Sequence, residues 1–121
     1  MRFLVVDDEP EIVMLVRANV RAWGHECLSA TTTADAYDIV RAQRPDVLLL
    51  DIAMPVEDGT ALLRRLRDED IAPAHVVFVS ALPPDQVKQL ADELGVPYLT
   101  KPFTAPELRD AVNQLHSEEA R

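Results

Sequence analysis

Positive charge is scarce in this chain of 121 residues: twelve lysines and arginines face twenty-one acids, for a formal net charge of −9. Phosphate backbones are bound through basic faces, so direct nucleic-acid binding is not expected. Cysteine is scarcer still. Cys27 stands alone, which excludes an internal disulfide and fits a reducing compartment. Glycine occurs three times, at positions 24, 59 and 95. That spacing admits neither a glycine-rich phosphate loop nor a dinucleotide fingerprint. No apolar run approaches the roughly 20 residues of a membrane span, and the N-terminus carries no leader pattern. The expectation is a small, soluble, cytoplasmic domain without membrane contact.

What the chain does contain is two alternating hydrophobic periods. Five short β-rich runs occur at Phe3–Val6, Cys27–Ser29, Val47–Leu50, Val76–Val79 and Tyr98–Thr100. The first, third and fourth are apolar throughout, as suits strands of a parallel sheet covered on both faces. The second and fifth are more polar, and Pro97 opens the fifth, which places that strand at an edge. Helical stripes fill the gaps: Ile12, Leu15, Val16, Val20 and Trp23; Ala36, Ile39 and Val40; Leu62, Leu63 and Leu66. Val87, Leu90, Ala91 and Leu94 form a fourth, and Leu108, Ala111, Val112 and Leu115 a fifth. Gly24 and Gly95 follow two of these stripes as helix-ending residues, and Thr32 with Asp35 and Thr104 with Glu107 read as capping boxes. Strict alternation of five strands with five helices predicts an α/β fold, a parallel sheet with helices on both faces. With two polar strands to place at the edges, the natural strand order is 2-1-3-4-5, that of flavodoxin-like sheets. One domain over residues 1–117 is expected, with 118–121 a polar tail or the start of a linker.

In such sheets, ligands bind beyond the carboxyl ends of the strands. There the first strand runs into Asp7-Asp8-Glu9, the third into Asp51, the fourth into Ser80 and the fifth into Lys101-Pro102. A plainer reading makes the acids helix caps, as aspartate often is. It does not account for Asp51, whose following helix starts only later, nor for Lys101 in a chain with two lysines. Carboxylates gathered this closely repel one another. A hard divalent cation with oxygen ligands, magnesium above all, relieves that repulsion. Three carboxylates, one lysine and a divalent cation sum to zero, a balance that lets Asp51 attack a phosphodonor as a carboxylate nucleophile.

These residues resemble the receiver domain of two-component response regulators, over residues 2–116. The resemblance rests on Val-Val-Asp-Asp-Glu at 5–9, Leu-Asp-Ile-x-Met-Pro at 50–55 and Asp58-Gly59. It continues through Val79-Ser80-Ala81 and Tyr98-Leu99-Thr100-Lys101-Pro102-Phe103. It implies that Asp51 is the phosphoacceptor and that Asp7, Asp8, Asp51 and the Ala53 carbonyl hold Mg2+. Ser80 would be the switch hydroxyl, Tyr98 the aromatic switch and Lys101 the cation on the phosphoryl group, with a cis Lys101–Pro102 bond. The implied partners are a sensor histidine kinase or histidine phosphotransfer protein and a downstream protein or output domain. For Tyr98, the plainer reading is a half-buried edge-strand residue. Glu9 reads as a helix N-terminal acid, with a water-mediated contact to the metal as the alternative.

Two other functions compete. Phosphatases with an aspartyl-phosphate intermediate resemble Asp-x-Asp, and here the second position is Ala53. A phosphorylation-independent interaction domain of this fold would usually lack an acid, the hydroxyl or the lysine, and all are present. The chain is therefore expected to be a regulatory phosphoacceptor rather than an enzyme. The acidic pair that supports dimers in winged-helix relatives is replaced by Val96-Pro97, so a monomer or weak dimer is expected. Trp23 and Cys27 read as packing residues, and His25, His75 and His116 are too scattered for a metal site.

Overall fold

The computed structural model describes the backbone of residues 1–119 and the side chains of residues 1–115. Five strands alternate with five helices: β1 (Arg2–Val6), α1 (Pro10–Ala22), β2 (Glu26–Ala30), α2 (Thr33–Gln43) and β3 (Val47–Asp51) come first. They are followed by α3 (Gly59–Asp68), β4 (His75–Ser80), α4 (Pro84–Leu94), β5 (Tyr98–Thr100) and α5 (Ala105–Glu119). All strand pairs are parallel and the sheet order is β2-β1-β3-β4-β5. The two polar strands lie at the edges, as expected. The domain boundary expected after residue 117 falls within the span of α5, and residues 120 and 121 of the expected tail lie outside the described residues.

The apolar strands alternate between two cores. Leu4, Val6, Leu48, Leu50, Val76 and Phe78 face the side carrying α2, α3 and α4, where they meet Ala36, Val40, Leu62, Leu63, Leu66, Val87 and Ala91. Phe3, Val5, Val47, Leu49, Val77, Val79 and Leu99 face α1 and α5 and meet Val13, Val16, Val20, Leu108, Val112 and Leu115. A period of two within a strand thus serves both faces, which is why these runs carry no polar position.

Local chemistry ends several of the helices. Thr32 Oγ1 accepts the Asp35 N–H at 3.1 Å. Thr104 and Glu107 form a full reciprocal box, with backbone-to-side-chain bonds of 3.2 and 3.3 Å. Gly95 closes α4 in the left-handed conformation at φ 67°. The Arg67 guanidinium of α3 donates to the Leu94 carbonyl at 2.6 Å, supplying a cation where the last turn of α4 has none.

Gly59 has a different duty. It opens α3, and its N–H donates to the Ile52 carbonyl at 2.9 Å. A Cβ there would collide with the Asp51 carbonyl oxygen and come within 3.0 Å of Ile52 Cα. Both obstacles are backbone and cannot rotate away. Gly59→Ala is therefore expected to cost about 1–3 kcal/mol through forced backbone displacement. Urea denaturation checks this, and a change below about 0.5 kcal/mol, the ordinary surface range, would contradict the close approach.

Candidate functional site

The parallel register brings the strand-end residues to one edge. Asp51 is the last residue of β3 and pairs with Val79, one position before Ser80, the last residue of β4. Asp7 follows β1 directly, and its N–H continues the sheet by donating to the Ala30 carbonyl at 3.1 Å. Lys101 follows β5, with its N–H on the Ser80 carbonyl at 2.7 Å. The Lys101–Pro102 peptide bond is cis.

Three of these side chains are fixed in the same way. Asp7 Oδ1 accepts the Glu9 N–H at 2.9 Å, Asp51 Oδ1 the Ala53 N–H at 3.1 Å and Ser80 Oγ the Leu82 N–H at 3.1 Å. Each polar group takes the amide two residues on, so each strand end turns over its own side chain. The reading of the acids as helix caps fails in detail: the N-cap of α1 is Glu9, and no side chain caps that helix.

The second carboxylate oxygens converge on one cation. Lys101 Nζ lies 2.7 Å from Asp7 Oδ2, 3.4 Å from Asp51 Oδ2 and 3.7 Å from Glu9 Oε1. Asp7, Asp51 and Ser80 are buried, whereas Asp8 is exposed at the rim. One carboxylate oxygen from each of Asp7, Asp8 and Asp51 falls within a 4.8 Å cluster. This all-oxygen, uniformly anionic donor set fits magnesium, with the exposed rim leaving room for its waters.

Burial pushes the Asp51 carboxyl up to about 6, and the Asp7 charge adds to the rise, against the pull of Lys101 and the Ala53 N–H. Burial works to lower the Lys101 ammonium pKa, but its hydrogen bond to Asp7 and the charges of Asp51, Asp7 and Glu9 outweigh that and hold it above its ordinary value. One buried cation shared by three acids leaves the pocket short of positive charge.

The remaining candidates lie elsewhere. Tyr98 is on edge strand β5, 38% exposed. Trp23 packs against the α1–α5 core with the Arg109 guanidinium 5.5 Å from its ring centre. Cys27 is buried and unpaired, and burial pushes its thiol up to about 11, leaving it inert. His25 contacts the Met1 amino group at 3.1 Å and the Phe3 ring, His75 begins β4, and the His116 side chain lies outside the described residues. Sequence reasoning read Glu9 as a helix N-terminal acid or a water-mediated metal contact and did not reach its contact with Lys101. Its reach to Lys101 depends on how the β1–α1 turn folds over Asp7, which no local pattern announces.

A doubly wound α/β domain with an acid pocket, a hydroxyl and a lysine at the carboxyl edge of its sheet defines a class of phosphoryl-accepting signalling domains. Residues 3–113 match the family described as response regulator receiver domain, and the chain belongs to that family. It is similar to sporulation initiation phosphotransferase F of Bacillus subtilis, 34% identical over 116 residues, covering 93% of this chain and 91% of that protein. It is also similar to the phosphate regulon transcriptional regulatory protein PhoB of Pseudomonas aeruginosa, 36% identical over 107 residues, 87% of this chain and 47% of that protein. The chain thus spans about half of PhoB but most of the sporulation protein. The Francisella response regulator 1452 receiver domain superposes with a TM-score of 0.86 at 31% identity, with 98% of each chain covered. The protein is a receiver domain with a phosphoryl-acceptor role in two-component signalling. No helix among the described residues is long and apolar enough to cross a membrane.

Proposed function

We propose that Asp51 is the phosphoacceptor, taking its phosphoryl group from the phosphohistidine of a sensor kinase or histidine phosphotransfer protein. The supporting observation is the convergence of Asp7, Asp51 and Lys101 in a buried cluster, with the Ser80 hydroxyl at the end of the adjoining strand. In the transfer, an Asp51 carboxylate oxygen forms a bond to phosphorus as the phosphorus–nitrogen bond breaks, and the electron pair returns to the donor imidazole. Lys101, already beside Asp51, pairs with a phosphoryl oxygen. Ser80 Oγ accepts from Leu82 and keeps its own proton to donate to another oxygen. Charge on the equatorial oxygens is met by groups positioned beforehand. Asp7, Asp8, Asp51 and the Ala53 carbonyl would hold Mg2+, which supplies positive charge that Lys101 alone does not.

In this reading Ser80 and Tyr98 carry the change outward, and the chain acts as a regulatory phosphoacceptor rather than an enzyme with turnover. A downstream protein or an attached output domain reads the change, in a reducing, cytoplasmic compartment.

Acetyl phosphate with magnesium is expected to add one phosphoryl mass to the chain, and chelation of the metal to prevent it. Asp8→Ala should lose more than about tenfold in this reaction, the usual loss for a disturbed metal site. Its apo stability should stay within about 0.5 kcal/mol, because Asp8 is exposed. Modification at the wild-type rate without metal would overturn the reading.

A further inference from the structure

Glu9 is the N-cap of α1, yet its side chain caps nothing. Its backbone does the local work: the carbonyl accepts the Ile12 and Val13 N–H groups at 3.1 and 3.2 Å, and the N–H is held by Asp7 at 2.9 Å. The carboxylate instead reaches Lys101 at 3.7 Å while remaining 58% exposed. It stands at the mouth of the Asp51 pocket, tied to the same cation as the buried acids. Asp7, Asp8, Asp51, Lys101 and a divalent cation sum to zero charge; Glu9 makes the total −1.

We propose that Glu9 is a specificity-determining anionic gate, which lowers the reactivity of the Asp51 site toward small free anionic phosphodonors. The proposal rests on the reading of Asp51 as phosphoacceptor. Two effects act in one direction. The Glu9 charge repels an incoming phosphoryl dianion, and from 3.7 Å it competes with the phosphoryl oxygens for the Lys101 ammonium. Because Glu9 is solvated, both effects are modest and sensitive to salt. Because Glu9 makes no capping bond, its replacement leaves the helix intact.

The test compares wild type with Glu9→Gln, Glu9→Asp and Glu11→Gln at saturating magnesium. Glu11 lies in the same first turn and serves as a control for overall charge. Fluoroberyllate affinity is read from amide shifts, and the acetyl phosphate reaction from the rate of mass gain. Glu9→Gln is expected to gain about three- to tenfold in both at low ionic strength, the size of one solvated charge at this range, with the gain vanishing near 1 M salt. Glu9→Asp, which keeps the charge, and Glu11→Gln should stay within about twofold of wild type at any salt. Glu9→Gln no faster than wild type, or an equal gain in Glu11→Gln, overturns the gate while leaving the Asp51 reading standing. A wild type that takes up neither reagent overturns both.

Discussion

Asp51→Asn is expected to abolish magnesium-dependent uptake of a phosphoryl group or fluoroberyllate, and at the same time to make the metal-free domain more stable. Loss of uptake follows from the proposed role of Asp51, since asparagine has no carboxylate with which to attack phosphorus. The gain in stability follows from electrostatics. Asp51 is 3% exposed, and its carboxyl is pushed up to about 6 from 3.8, first by burial and then by the Asp7 charge. A rise of about two units corresponds to about 3 kcal/mol of cost for holding the charged form in the fold. Asparagine keeps the shape and an acceptor for the Ala53 N–H but gives up the contact with Lys101. The net gain should therefore be about 1–3 kcal/mol at pH 7, or roughly 3–10 °C in Tm for a domain of this size.

The pH dependence carries a definite sign. Asp51 binds its proton more tightly in the folded chain than in the unfolded one, so wild-type stability is favoured where the folded carboxyl is protonated. That contribution is full below about pH 4, declines as pH rises to about 6, and is gone above it. The asparagine variant lacks this decline. Its advantage in Tm should grow between pH 4 and pH 7 and then level off. A variant less stable than wild type at pH 7 would show that Asp51 is held by favourable contacts and that the pocket is not short of positive charge.

How much of this was legible in the sequence differs by element. The strands were, because Val47 to Leu50 and Val76 to Val79 offer no polar residue for a wet face, and both faces are in fact covered. Each observed strand matches or slightly extends its expected run, β3 by taking in Asp51 itself. The edge positions followed from polarity and from Pro97. Helix starts were legible at the capping residues Thr32 and Thr104, and C-terminal helix ends only where glycine marks them. Arg44 and Asp70, beyond the ends of α2 and α3, adopt positive φ of 48° and 58° without being glycine. Val56, in the loop after Asp51, does so at 70° despite its branched Cβ. The first two belong to helix ends closed by local backbone bonds, the Arg44 N–H on the Val40 carbonyl at 3.1 Å and the Ile71 N–H on the Leu66 carbonyl at 2.9 Å, without the glycine that would have announced them. The site divides in the same way. Asp7, Asp51, Ser80 and Lys101 were legible because each interrupts or ends a strand where a parallel sheet collects its polar groups. The need for glycine at position 59 was not, since it arises from the approach of α3 to the Asp51 carbonyl.

Lys101→Met tests the opposite side of the same charge balance and is expected to destabilise the domain by about 3 kcal/mol at neutral pH, within the range for removing one partner of a buried ion pair. Methionine keeps the length and apolar stem of the side chain, so the cost is mainly that of two buried carboxylates, Asp7 and Asp51, left without their shared cation. In the wild type the ammonium is held above its ordinary pKa, so its contribution is present through neutral pH and is lost only in strong alkali. For the variant, acid is the relieving condition. Protonating Asp51, whose carboxyl is pushed up to about 6, removes charge that Lys101 neutralises, and the gap to wild type should narrow as pH falls from 7 to 4. Combining Lys101→Met with Asp51→Asn should narrow it too, because one orphaned charge is then absent, giving a favourable coupling of about 1–2 kcal/mol. Urea denaturation of the four members of this cycle at pH 7 and pH 4 provides the measurement. Strict additivity at both pH values would mean that Lys101 supports the fold by packing alone, and that the acids at these strand ends do not act as one electrostatic unit.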